Sequence, residues 1–421
     1  MQATADIDLD TLAANNHQNA SGVLGVDSRL GFLLSPGDGS GQQSSLTKAM
    51  EERISERLTD DIRALPNADV RRTSYFSIDG HAAGSWVSAS GNDDGCLCNT
   101  TFVSTVADYF GKPQPVCTGY VGVRVNTKAA RRAGNATLDA YGHVLRSMAH
   151  PGGYARCGYH ANHDANVYIM STTFKDCSIR HAVEPRNIFT SGLPMDMQLR
   201  AAAAMRNDDD LESKTWRQII PDLIIYAPGR THVLDVKVIN HNATRYGCLK
   251  VAAPVRNKAT NKRATAVDGE YTSKARDIDQ AYALTPPGDI GPCERAILDA
   301  GGCTGIAFGH YGEMSDTAEG IIRMCGDAAA ALSWEEMGFT SEKYAAAHYR
   351  SQYRHRWAMN HCREKARHLL LNMQWVAGAP MNVCNQAEAA RERRAAWARS
   401  HRANPGRGRH RHGRHGAGVG G

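Results

Sequence analysis

A mixed-sheet α/β fold, with core elements in the order α-β-β-β-α-β and helical regions on both flanks, is what the sequence predicts. Three observations carry it: a two-strand segment with period-two alternation, a helical stretch ahead of it, and a helix followed by a short apolar strand behind it.

In chain order, residues 1–45 are polar and Gly/Ser-rich and read as a flexible lead. Residues 46–135 read as a mostly helical connector. Within it, Met50, Ile54, Leu58 and Ile62 repeat at helical spacing over Leu46–Ala64, a stripe expected to be core packing, and Thr101–Phe110 is a second helix. Residues 136–160 carry scattered Cys and His. The core is expected over 161–312. His163–Cys177 has helical spacing and Ser178–Glu184 is short and extended. Ile219–Tyr226 and Thr231–Ile239 form a hairpin about Pro228-Gly229. Residues 187–217 are an insertion in which LRAAAAMR is helix-prone and Asp208, Asp209 and Asp210 read as solvated.

Glu270–Leu284 repeats Ala275, Ile278, Ala281 and Tyr282 at helical spacing and stops at Thr285-Pro286-Pro287-Gly288. Cys303–Phe308 suits a buried strand, and the intervening helix makes it a crossover partner, so the sheet is mixed. Residues 313–390 hold two helices, Thr317–Leu332 and Ser341–Val376, broken at Gly338. The longer one sets Tyr344, Ala347, Tyr353, Trp357, Leu369 and Trp375, expected to face the core, among Arg350, Arg354, Arg356, Arg363, Lys365 and Arg367, expected to face solvent. Residues 391–421 are Arg/His/Gly-rich, cannot bury a core, and are expected to be disordered.

The chemistry concentrates in the hairpin, where Pro221-Asp222 is followed by Asp235-Val236-Lys237. Side chains alternate along a strand, so Asp235 and Lys237 share a face with Val233 and Ile239, while Leu234, Val236 and Val238 share the other. Phosphodiester hydrolysis needs a hard divalent cation on oxygen ligands, which two carboxylates supply. A lysine beside them orients water and offsets charge on the phosphorus. This is the PD-(D/E)xK pattern of metal-dependent nucleases. The same residues also admit a plain hairpin with a surface ion pair.

Beyond the hairpin come GSWVSAS (Gly84 to Ser90), LDAYGHVL (Leu138 to Leu145), HDANV (His163 to Val167) and EPR (Glu184 to Arg186). They are followed by AVDGEYTSKARDIDQAY (Ala266 to Tyr282), Gly291-Pro292 and FGHYGEMS (Phe308 to Ser315). As an ordered set over about residues 40–375, these resemble the restriction-like endonuclease region of non-LTR retrotransposon reverse-transcriptase-type proteins. The resemblance implies a restriction-endonuclease-like core in which Asp222 and Asp235 hold Mg²⁺ or Mn²⁺, Lys237 is the catalytic lysine and Glu184 is an upstream acid. Glu184 is equally readable as a strand-end residue paired with Arg180 or Arg186. His163 stands where the family often has an Arg-His pair, here preceded by Asn162, and is expected to cap or pack its helix.

Lys274 and Arg276 either face DNA phosphate or form a solvated face. The family often carries a Cys/His cluster before the core. Met148 replaces one expected cysteine, so a zinc site from Cys117, His143, Cys157 and His160 competes with buried thiols. Glu313 matches a family position whose role the residues do not define.

Of the net charge of +6, nine arginines and one acid from Arg391 onward contribute +8, leaving residues 1–390 at −2. The tail, with Arg407, Arg409, Arg411 and Arg414, is therefore expected to bind nucleic acid, DNA or RNA, through phosphate. Eleven cysteines in no regular framework imply a reducing, intracellular compartment, and the basic tail a nuclear one. No run of eighteen apolar residues occurs, so no membrane partner is expected. No Tyr-x-Asp-Asp sequence occurs, so these residues hold no polymerase active site, and they read as an element remnant, a host-captured gene or a piece of a longer reading frame, with a polymerase encoded elsewhere as one candidate partner. Two functions stand: a Mg²⁺-dependent DNA endonuclease leaving 5′-phosphate and 3′-hydroxyl ends, and a non-catalytic nucleic-acid-binding remnant of a retrotransposon protein.

Overall fold

Alternating apolar residues over 223–238 can be buried only if both faces of their sheet are covered, and the computed structural model covers both. It describes residues 39–66, 69–77, 84–87, 97–125, 137–148, 159–205, 215–227, 230–239 and 259–378. The chain divides into two units, residues 1–66 and 67–421.

The first unit contributes one described helix, α1 (Gly39–Ala64). Its expected packing stripe is overturned, because Ile54 is 64% and Leu58 47% exposed. The unit brings no second described element to lay against them. The Met50 side chain lies outside what is described.

In the second unit, α2 (Val70–Ser77), α3 (Asn99–Tyr109) and α4 (His143–Ser147) precede α5 (Tyr159–Asp176), β1 (His181–Val183) and α6 (Met195–Ala204). Then come β2 (Leu223–Ala227), β3 (Arg230–Val238), α7 (Ala259–Ala281), α8 (Pro292–Asp299), β4 (Thr304–Phe308), α9 (Asp316–Ser333) and α10 (Glu342–Ala377). The strands lie in the order β1-β2-β3-β4, antiparallel across the first two pairs and parallel between β3 and β4. This is a mixed α/β fold with a four-strand mixed sheet, as expected, and α6 and α8 interrupt the expected succession.

One sheet face sets Leu223, Ile225, Leu234, Val236, Ile306 and Phe308 against α5, α9 and α10 through Met170, Phe174, Ile322 and Trp357. The other sets Ile224 and Val233 against Val267, Tyr271, Ala275 and Ile278 of α7 and Ile297 of α8. The C-terminal helices therefore share the core of the sheet.

The crossover departs from expectation. Helix α7 begins at Ala259, eleven residues before Glu270, because its first turns pack through small residues. A Cβ on Gly305 of β4 would meet the Ala264 carbonyl at 2.3 Å, so glycine is required for that approach. Helix α8 was not expected. Its N-terminal donors are satisfied by the buried Asp279 carboxylate, which accepts from the N–H of Cys293 (3.0 Å) and of Glu294 (2.9 Å). Asp268 likewise accepts from the Cys303 N–H at 2.9 Å, just ahead of β4. Two acids of the long α7 motif thus hold the crossover together.

Helices α9 and α10 are capped by Ser315 and Ser341, and Gly338 turns between them at φ 72°. On α10, Tyr353, Trp357 and Leu369 are buried as expected, but Tyr344, Ala347 and Trp375 are exposed. The basic side chains do not form a solvated face. Arg354 pairs with Glu319 (2.8 Å), Arg356 with Asp176 (2.5 Å), Arg367 with Glu364 (3.6 Å) and Arg350 with Asp327. All but one of these acids come from other elements, because α10 runs against several neighbours rather than along the surface.

Lys365, also buried, pairs with Asp108 at 2.9 Å and donates to the His310 carbonyl. Asp108 also accepts from Arg146 through both oxygens (2.7 and 2.6 Å) and from Gln114 Nε2 (2.6 Å). Burial opposes its ionisation, but Arg146 and Lys365 hold the carboxyl below its ordinary range. Nearby, His361 donates from Nε2 to the Gly309 carbonyl (2.8 Å) and accepts at Nδ1 from Asn166 (3.1 Å), which assigns its neutral tautomer. Burial, with the Lys365 charge, lowers its pKa to about 4.

Candidate active site

The site forms where β2 begins and β3 ends. Val233 packs into the α7 face and Leu234 and Val236 into the other, so Asp235 is directed to the α7 face, as the alternation requires. Asp222 lies one step before the Leu223–Leu234 pair, which brings it opposite Asp235.

Asp222 Oδ2 accepts from His163 Nε2 at 3.0 Å and from the Val236 N–H at 2.5 Å. Its Oδ1 has no partner among the described residues. Asp235, only 4% exposed, accepts at Oδ1 from the Tyr271 hydroxyl at 2.9 Å. Its Oδ2 is buried and is held by the Lys237 ammonium in an ion pair. Among the described residues, Asp222 therefore keeps one oxygen without a partner, and the second oxygen of Asp235 meets Lys237 alone.

The electrostatics follow from burial and charge. Burial opposes ionisation of Asp222, yet the charge and hydrogen bond of His163 hold its carboxyl below the ordinary range. Burial and the neighbouring Asp222 charge raise Asp235, against the pull of Lys237. Burial disfavours the His163 and Lys237 cations, but Asp222 raises the first well above its usual value and Asp235 raises the second. The expectation that His163 merely caps or packs its helix is thereby corrected. It bridges Asp222 and Asp164, the latter at 3.3 Å, across 59 residues of sequence that no local pattern spans.

Glu184 stands at the end of β1. Its N–H donates to the Asp222 carbonyl at 2.9 Å, so its backbone adjoins the first carboxylate. Its φ of 46° is left-handed, a conformation costing roughly 1–2 kcal/mol in a non-glycine residue and one that collects at functional sites. Arg180 lies over the Tyr226 ring and Arg186 donates to the Met205 carbonyl.

Among the described residues, no three His, Cys, Asp or Glu side chains converge to hold a metal ion. Two facing carboxylates nonetheless fit a hard cation of the Mg²⁺ kind, which keeps several waters and binds through one or two carboxylates. The buried Asp235 Oδ2, facing a second carboxylate and met by Lys237 alone among the described residues, is the observation that carries this fit.

The other candidates are less concentrated. Lys274 lies 5.3 Å from the Tyr271 ring centroid, at the rim of the site. Arg276 is engaged with the buried Glu294 at 2.5 Å, a structural partner on α8. Glu313 accepts from the Tyr311 N–H at 2.8 Å, which orders the loop after β4. Cys117 is buried in an apolar cluster with Leu138, Val144, Leu145, Met148 and Leu369, where burial raises its thiol to about 11, and His143 stacks on Tyr141. Cys157, the His160 side chain, Arg407, Arg409, Arg411 and Arg414 lie outside the described residues.

Tyr271 is the site residue that sequence reasoning missed. The available signal was its place in the buried series Val267, Tyr271, Ala275 and Ile278, where a hydroxyl enters an otherwise apolar stripe and must find a partner. The chain is thus a mixed α/β protein with a buried two-carboxylate, lysine and histidine site. No family model, no curated protein and no solved structure matches it. No described helix is long and apolar enough to cross a membrane.

Proposed function

We propose that this chain is a divalent-metal-dependent DNA endonuclease built on a restriction-endonuclease-like core and derived from a non-LTR retrotransposon. The observation that carries the reading is the pair of facing carboxylates, Asp222 and Asp235, the second paired with Lys237. A plain surface ion pair would be solvated, whereas Asp235 is buried and next to a second acid.

Mg²⁺ or Mn²⁺, when bound, supplies Lewis acidity toward a phosphoryl oxygen and a lowered pKa for water. Asp222 Oδ1 and Asp235 Oδ2 are the atoms that would hold the ion, with Glu184 adjoining them. His163 and the Val236 N–H keep Asp222 oriented. Lys237 orients the attacking water and offsets charge building on phosphorus, an effect strongest in a dry, preorganised site. Water adds to phosphorus, the bond to the 3′-oxygen breaks, and that oxygen takes a proton, leaving 5′-phosphate and 3′-hydroxyl ends. Lys274 and the tail arginines would contact DNA phosphate, the protein would act in the nucleus, and a polymerase would extend the 3′-hydroxyl.

The test is nicking of supercoiled plasmid in Mg²⁺, Mn²⁺ or EDTA by the wild-type chain, Asp235→Ala and Lys237→Ala. Metal-dependent nicking is expected, with each variant reduced by about 10³-fold, the equivalent of several kcal/mol of transition-state stabilisation. Salt-sensitive DNA binding without cutting, equal in all three proteins, would replace the enzyme with the binding remnant.

A further inference from the structure

We infer that Tyr271 is a positioning residue for Asp235, an assignment that rests on the proposed metal-dependent site. Tyr271 is buried on α7, its ring edge-on to Phe189 at a centroid distance of 6.2 Å. Its hydroxyl lies 2.9 Å from Asp235 Oδ1 and 3.0 Å from the Ile220 carbonyl. One proton serves two acceptors, and the charged oxygen is the stronger one. Ile220 immediately precedes Pro221-Asp222, so one hydroxyl touches both segments that carry the facing carboxylates.

The terminal torsion of an aspartate is broad, so packing alone does not fix which oxygen faces which neighbour. Engaging Oδ1 from the α7 side leaves Oδ2 as the buried atom that faces Lys237. Tyr271 therefore selects the oxygen that Asp235 offers to a cation, as outer partners of metal ligands do. A tyrosine needed only to fill the α7 face would have its hydroxyl satisfied by the Ile220 carbonyl alone. Tyr271→Phe keeps the ring and removes that selection.

Wild-type, Tyr271→Phe, Asp235→Asn and the double variant would be titrated with Mn²⁺ without DNA, read by the loss of the free-ion spin-resonance signal. Folding would be checked by circular dichroism, and Mg²⁺-dependent nicking measured alongside. Tyr271→Phe is expected to weaken Mn²⁺ binding about tenfold and lower kcat with KM for DNA unchanged. In the Asp235→Asn background the same substitution is expected to change Mn²⁺ affinity by less than about twofold, because its partner is already altered. Equal affinity in wild type and Tyr271→Phe, or an undiminished loss in the Asp235→Asn background, would overturn the assignment while leaving the metal site standing. A wild-type chain that takes up no Mn²⁺ would overturn the hydrolytic site itself.

Discussion

Two buried carboxylate clusters, built from the same residue types, are completed in opposite ways. Around Asp108 every oxygen is consumed, by Arg146, Lys365 and Gln114. Asp222 and Asp235 face each other, and among the described residues only one lysine and one histidine bring positive charge to the two of them. Burial and charge alone therefore do not mark a functional acid. What separates the clusters is the balance of charge: two cations and an amide meet the single Asp108, whereas two acids meet one lysine and one histidine.

The widest separation should come from neutralising one acid in each cluster. Asp108→Asn leaves Arg146 and Lys365 buried without their counter-charge and should lower unfolding free energy by about 3–5 kcal/mol in urea titration. Asp235→Asn removes one of two facing acids and should leave the urea midpoint unchanged or raise it, while nicking is lost. Equal destabilisation by both substitutions would erase the distinction.

A pH titration sharpens it. His361 is neutral when folded with a pKa near 4, against an ordinary value near 6.5. Its contribution is complete above pH 6.5 and is lost as pH falls toward 4, because the unfolded chain takes up a proton that the folded one refuses. The loss should reach about 3 kcal/mol, and His361→Gln should remove that slope. The depressed Asp108 carboxyl contributes above the ordinary carboxylate pKa and fails only at still lower pH, so the two losses separate along one titration. Smallest of all, breaking the exposed Arg350–Asp327 pair with Asp327→Asn should shift stability by less than about 1 kcal/mol.

The sequence made the hairpin, α5 and β4 legible because each carries its period within ten to twenty residues. Helix α8 and the first turns of α7 were not legible, since Thr260 and Ala264 pack through smallness and α8 depends on Asp279 arriving from α7. The site divided along the same line. Asp235 and Lys237 follow from strand alternation, but the His163–Asp222 and Tyr271–Asp235 bonds join residues 59 and 36 positions apart. The α10 cations were misread for the same reason, Lys365 meeting its acid at position 108 and Arg356 at position 176.

The parallel pairing of β4 with β3 also orders events in time. Strand β2 reaches β3 through a local hairpin, a step that takes about 1–10 μs, whereas β4 must close a loop from Val238 to Thr304 and pays a larger entropy for it. A nascent or truncated chain stopping short of Thr304 already holds Glu184, Asp222, Asp235 and Lys237, yet presents β3 as an open edge that invites pairing with another chain. Acquiring the charged residues and becoming a soluble, competent protein are thus separate milestones, and the second is set by a strand that contributes no chemistry.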